Sequence, residues 1–316
     1  MDSRKKSLLC YGLPVLVLIP MPFLAPGITQ YSITLLMYLT LAIAWNIQGG
    51  YLGDLSFGHV SFFGVASYTV ALLEHYDILR FAPLNILLGG LVAAGFAALI
   101  GIPFLRLRGF YFAIGTLGLS SLLFLIFKNI LSPITQGALG VIVPPPSPYH
   151  IETFYYGVLL IAFLSAIFAH LLVKSRIGLA FVAIRDNPMA ARAVGINVTL
   201  YRVLGFSVSA FLTGVAGGYY AYQSSYVNPE GAFSVAVSFE MLVMVTLGGS
   251  GTLLGPIIGA VVLFVMEEIG RTFIQQGYYI LPALVLMAVF MFMPRGIVGV
   301  FAERHFFLKL MNSRNA

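Results

Sequence analysis

The sequence predicts an all-α polytopic membrane protein of about ten transmembrane helices, several of them broken. Of its 316 residues, 59% are hydrophobic and 9% charged, where a soluble domain carries roughly half and a quarter. The mean hydropathy of +0.96 agrees. Apolar runs near the length that crosses a bilayer, roughly 20 residues, fall at 8–26, 30–48, 60–75, 84–104, 110–131, 153–173, 203–222, 235–248, 254–270 and 279–293. Ten crossings put both termini on one side. That side then holds all but three of the 17 Lys and Arg residues, leaving Arg80, Lys128 and Arg271 for the other. The positive-inside bias produces such a split, so both termini and the segment 174–202 are expected in the cytoplasm.

The net charge of +6 and the pI near 9.4 do not point to nucleic acid. Such binding needs a basic stripe on a folded face, and here the charges sit in short gaps between apolar spans. The single cysteine, Cys10, excludes an internal disulfide, and no Cys/His cluster offers a thiolate zinc site. No cofactor and no metal are expected.

In chain order, the first span carries Pro14, Pro20, Pro22 and Pro26 and is expected to bend in its second half. Between spans two and three, Gly49-Gly50-Tyr51-Leu52-Gly53-Asp54-Leu55-Ser56-Phe57-Gly58-His59 is too short for a domain and too apolar for a free loop. Non-helical backbone at membrane depth persists only where protein or a water-filled cavity satisfies it. Gly53, Asp54, Ser56 and His59 are therefore candidates for a pathway wall, or for a re-entrant turn whose polar groups cap helix ends. Asp54 is expected near an interface, in a cavity, or hydrogen-bonded to Ser56 or His59. The gap 132–152 contains the rigid Pro144-Pro145-Pro146-Ser147-Pro148, and the outer gaps are completed by 223–230 and 267–271.

Further breaks fall at 226–231 and 247–252. Spans two to five and seven to ten each hold four helices, and the sixth between them reverses their orientation. An inverted repeat follows if the two folds match. Glu240 lies inside the apolar run SFEMLVMVTLGG, so it is either a functional intramembrane carboxylate or an interfacial residue at the outer end of a short span. Gly248-Gly249-Ser250-Gly251 lacks the Lys-Ser or Lys-Thr of a nucleotide-phosphate loop. Any ATP must be hydrolysed elsewhere, and this chain is not expected to be an enzyme.

The long polar interruption is 174–202, with Lys174, Arg176, Arg185, Arg192 and Arg202. It contains a compact helix signal: Asp186 and Asn187 to cap free amides, Pro188 for the first helical position, Met189, Ala190, Ala191, Arg192, Ala193 and Val194 to propagate, and Gly195 to close with positive φ. A helix of roughly two turns is marginal alone in water, so it is expected to dock against something. An ordinary basic loop lying on lipid headgroups would show the same charges.

SRIGLAFVAIRDNPMAARAVGINVTLYRVLGFSVSAFLTGVAGGYYA resembles the cytoplasmic coupling loop and following helix of the permease subunits of ABC importers for branched-chain amino acids, the M-type subunit of the leucine, isoleucine and valine system. GYLGDLSFGHVSFFGVASYTVALL, LRLRGFYFAIGTLG, SFEMLVMVTLGGSGTLLGPIIGA and MPRGIVGVF resemble the same family in the same order, over nearly the whole chain. The resemblance implies one transmembrane permease domain, 1–316, in the cell inner membrane, with 174–202 as its coupling loop. It implies that Arg185–Gly195 meets the ATPase. It also implies a second homologous permease subunit, two ATPase subunits and an extracytoplasmic binding protein. Two departures concern the cargo: similar proteins have glutamine at Asp54, and Thr-Gly-Gly where this chain has Thr135-Gln136-Gly137. Urea, amides and small organic acids stay open as cargo. So does an ion-coupled secondary transporter, in which Asp54, His59 and Glu240 would be ion or proton sites.

Overall fold

A computed structural model of the chain describes residues 26–107, 109–144 and 150–274, with the isolated positions 22, 284, 287, 291 and 296–299. Apart from those positions and residue 26, the first span, Cys10, residues 145–149 of the proline-rich gap, the tenth span and the closing segment lie outside the described residues. Eight expected spans are helical: α1 (Thr29–Trp45), α2 (His59–His75), α3 (Ala82–Phe104), α4 (Phe110–Leu125), α5 (Ile151–Lys174), α8 (Val198–Ser224), α9 (Val235–Gly248) and α10 (Gly255–Ile274). Between α5 and α8 lie α6 (Arg176–Asp186) and α7 (Pro188–Ala193). α1 and α4 run on into π-helical turns, Asn46–Tyr51 and Ile126–Ile130.

α8 is the central helix and packs most extensively against α3 and α2. Glycine makes that crossing close: a Cβ on Gly217 would lie 2.3 Å from the Phe63 carbonyl oxygen, and one on Gly214 would lie 2.7 Å from Ala93 Cβ. Small residues at a crossing let two backbones approach where lipid offers no hydrophobic drive for association. Phe62, Phe112 and Phe206 fill the adjoining core edge-to-face, with Phe62 and Phe206 centroids 5.0 Å apart. Part of the surface is apolar and exposed. On α5, Leu160, Leu164, Phe168 and Leu171 form an exposed stripe at helical spacing, as lipid or a membrane partner requires.

The connections sort into two ends. At one, β1 (Val141–Ile142) pairs antiparallel with β2 (Tyr226–Val227), Lys128 Nζ bonds Glu230 Oε1 at 2.9 Å, and the Tyr76 hydroxyl donates to Ile134 O at 3.2 Å. At the other, Arg202 joins Asp54 and Leu105 O, Arg185 reaches Gly50, and Gly251 N donates to Asn46 Oδ1 at 2.9 Å. This alternation of ends is the one the span order demands from the second span to the ninth.

Four details depart from the sequence reading. The segment 174–202 is mostly helix, because Ser175 Oγ caps α6 by accepting from Ile177 N and Gly178 N, and Phe181 and Ile184 bury its inner face. Asp186 closes α6 rather than capping α7, and Val194 follows α7 rather than ending it. The break before α2 starts only after the π turn at Tyr51. The supposed outer gap at 267–271 is helix, since α10 runs to Ile274 and holds Glu267 at 3% exposure.

Candidate functional site: a projecting helix, a braced break and a cavity at the far end

α7 is built as its residues dictate. Asn187 Oδ1 accepts from Met189 N at 3.0 Å and Ala190 N at 3.1 Å, satisfying two free amides. Pro188 takes the first turn. Gly195, at φ +87, lets its own N donate to Arg192 O and Ile196 N to Ala191 O, both at 3.0 Å. Ala191 is the one buried residue of α7; Met189, Ala190, Arg192, Ala193 and Val194 beside it are exposed. Met189 is 66% and Val194 77% exposed, an apolar tip standing clear of the protein.

Two arginines flank this tip, and both turn inward. Arg185 Nη1 donates to Gly50 O at 3.0 Å. Its stem fills a slot that only glycine leaves open: a Cβ on Gly53 would lie 2.6 Å from Arg185 Cγ, and one on Gly251 2.6 Å from Nη1. Grouped with α7 on sequence, Arg185 thus has its guanidinium against the π turn that follows α1 and its stem against the break. Arg202, at the start of α8, grips Asp54 with both carboxylate oxygens, Nε to Oδ2 at 2.8 Å and Nη2 to Oδ1, and donates through Nη1 to Leu105 O at 2.8 Å. Gln48 Nε2 adds a bond to Asp54 Oδ2 at 3.2 Å. The two side chains are only 12% and 13% exposed, and of the settings expected for Asp54 it takes the cavity rather than a bond to Ser56 or His59. The explanation is proximity in space: Arg202 lies 148 positions away but arrives on α8, and a carboxylate withdrawn from water takes the nearest guanidinium fork. A small cavity of about 160 Å³ lies among Gly53, Asp54, Arg185, Pro188, Arg192 and Arg202.

Ser56 and His59 sit in closed packing beside this network. The Ser56 carbonyl accepts from Trp45 Nε1 at 2.9 Å, and its hydroxyl accepts from Gly58 N at 3.2 Å. His59 is fully buried, with Nε2 2.7 Å from Ser209 Oγ. Ser209 gives its proton to Ala44 O at 2.5 Å, so His59 Nε2 carries the hydrogen of that contact.

At the far end a cavity of about 340 Å³ opens between α1, α2, α8 and α9. Gln30, Thr34, Met37, Tyr38 and Leu41 descend one face of α1, a helical rise of roughly 16 Å. Gln30 and Ser224 are exposed at its mouth, and Met37, Leu41 and Phe63 are buried at its floor. Tyr220 and Gln223 line one side, and Val237 and Glu240 the other. Behind it the Tyr38 hydroxyl donates to Glu267 Oε2 at 3.0 Å, and Glu267 faces Arg271 at 3.7 Å. The structure thus separates the candidate residues. Gly53 and Asp54 belong to the braced end, Glu240 to the cavity at the far end, and Ser56 and His59 line neither. Arg202 was noted on sequence only as part of the basic count. The signal that it had a partner was the lone carboxylate of Asp54 in an apolar break.

Comparison with known proteins fits this architecture. The model of one family, described as branched-chain amino acid transport system / permease component, matches residues 27–293. The high-affinity branched-chain amino acid transport system permease protein LivM of Salmonella typhimurium is 30% identical over 94% of this chain and 76% of its own length. LivM of Escherichia coli is 30% identical over 98% of this chain and 78% of its own. The probable permease LivH of Methanocaldococcus jannaschii is 27% identical over 41% of this chain and 43% of its own. No solved structure matches the chain. A multi-pass helical membrane protein matched over this length by that family belongs to it: the chain is a member of the branched-chain amino acid transport system permease components, the membrane subunits of ABC importers.

Proposed function

We propose that this chain carries branched-chain amino acids, or a related small polar solute, across the cell inner membrane as one of two homologous permease subunits. Two separate ATPase subunits drive it, and an extracytoplasmic binding protein delivers the solute. The observation that carries this reading is α7. Its exposed apolar tip stands between Arg185 and Arg202, each fastened to the broken segment after α1. An ATPase can act on the pathway only by binding one permease state better than another. A rigid tip braced against a break in the membrane helices is a means of converting that difference into movement.

In this reading the end with Arg185, Arg192 and Arg202 is cytoplasmic, and the end with β1 and β2 faces outward, as the charge split favours. Residues 1–316 form one permease domain, with 174–202 as coupling segment and Arg185–Gly195 as the ATPase-facing element. Spans two to five and seven to ten form an inverted repeat. Gly53 and Asp54 gate the inner end, and Glu240 lies on the pathway. The test is uptake of leucine by vesicles holding the chain with its genetic neighbours, with ATP and the proton gradient varied independently. Uptake that follows ATP and ignores the gradient is expected. Uptake driven by the gradient alone would overturn the reading in favour of secondary transport.

A further inference from the structure

The outer cavity is amphiphilic in an ordered way. Its floor and one wall are apolar, from Met37, Leu41, Phe63 and Val237. Its upper part offers neutral hydrogen-bonding groups from Gln30, Thr34, Tyr220, Gln223 and Ser224. Its volume of about 340 Å³ lies within the range of small-molecule sites. Among the described residues one carboxylate lines it, Glu240, on the same helix face as Val237 one turn before it.

The charges around Glu240 leave a negative balance. Glu267 and Arg271 face each other at 3.7 Å, and Tyr38 bonds Glu267. Among the described residues Glu240 has no ion-pair partner, while Glu267, Tyr38 and Arg271 act on it from α10 and α1. A carboxylate at this depth is costly unless it meets a cation. Among the described residues one such cation, Arg271, faces Glu267 and none lies within ion-pair distance of Glu240.

We infer that the outer cavity is a transit site for a zwitterion with an apolar side chain, in which Glu240 receives the α-ammonium group. This rests on the cargo reading above and deepens it. The apolar floor takes the side chain. The amides of Gln30 and Gln223 and the hydroxyl of Tyr220 are donors for the α-carboxylate. A solute of the same skeleton without the ammonium group leaves Glu240 uncompensated and is rejected for the reason that buried polar groups penalise a missing partner. A hydrogen bond to a charged group contributes roughly 1.5–3 kcal/mol, which corresponds to a change of about 10- to 150-fold.

The test uses the whole transporter in vesicles, with Thr34→Cys as reporter in a Cys10→Ala background. The rate of labelling by a thiol reagent from outside is measured with leucine, with 4-methyl-2-oxopentanoate, and with neither. Leucine is expected to slow labelling at least fivefold, and the keto acid to leave it unchanged. Glu240→Gln is expected to abolish the protection and to lower ATP-driven leucine uptake about 10- to 100-fold. Glu240→Asp keeps the charge and is expected to retain protection, which separates loss of charge from loss of folding. If the parent takes up leucine but leucine gives no protection, or the keto acid protects equally, or Glu240→Gln changes nothing, the site is overturned while the cargo reading stands. If a complex with active ATPase takes up no leucine, the cargo reading fails and the site falls with it.

Discussion

Removing either half of the Asp54–Arg202 pair should cost at least as much as removing both. The two side chains are 12% and 13% exposed, so Asp54→Ala leaves a guanidinium nearly withdrawn from water, with Leu105 O as its remaining partner. Breaking a buried pair from one side costs about 3–5 kcal/mol. The neighbouring cavity of about 160 Å³ admits some water, so the low end, about 3 kcal/mol, is expected here. Arg202→Ala should cost about the same, because Asp54 then keeps only Gln48. The double variant leaves no charge to desolvate and should cost no more than the worse single, giving an interaction energy of at least about 3 kcal/mol. Asp54→Asn should be milder than Asp54→Ala, since an amide oxygen still accepts one guanidinium hydrogen. The assay is unfolding of the purified transporter in graded detergent, with ATP-driven uptake measured on the same preparations. Additivity of the two single variants within about 0.5 kcal/mol would refute the reasoning.

Three further outcomes follow from the same structure. Gly195→Val forces a β-branched residue into φ +87 at about 1–2 kcal/mol. With nothing within 4 Å of its Cβ, abundance should stay near normal while co-purification with the ATPase and uptake both fall, and unchanged uptake would count against α7 as the coupling element. Gly217→Ala, whose Cβ would sit 2.3 Å from Phe63 O, should lower membrane abundance severalfold, whereas Gly118→Ala, with nothing within 4 Å, should not; equal abundance of the two would mean the α8–α2 crossing is looser than described. Single cysteines at Ala138 and Ala190 in a Cys10→Ala background should be labelled from opposite sides of the membrane, and labelling of both from outside would reverse the proposed orientation.

The eight spans inside the described residues were legible because run length and apolarity are local properties of the sequence. α7 was legible for a similar reason: Asn187, Pro188 and Gly195 act on their own neighbours. α6 was not, because its first turn opens on Arg176 and its last carries Arg185 and Asp186, and what makes it a buried helix is the core that receives Phe181 and Ile184. Asp54 announced itself as a carboxylate needing company, yet no local rule names a partner 148 positions away. Glu240 stood out inside an apolar run, while Glu267 was lost at the end of one. A span boundary drawn from hydropathy falls where charges begin, and α10 carries its charges inside the helix.

From Ile151 to Ser224 the chain is almost unbroken helix, interrupted at Ser175, at Asn187 and across 194–197. Each interruption is pinned: Ser175 Oγ donates to Leu172 O at 2.6 Å, Asn187 caps α7, and Asn197 Oδ1 accepts from Leu200 N at 3.1 Å. Such a chain has corners and no slack, so it works as a crank whose angles are set by three short side chains. Its phase is set by residue count. One residue added or deleted within α6 would rotate everything beyond it by roughly 100°, carrying the tip away from its seat and Arg185 out of its glycine slot. Length should therefore be held more tightly in this segment than the identity of its exposed residues.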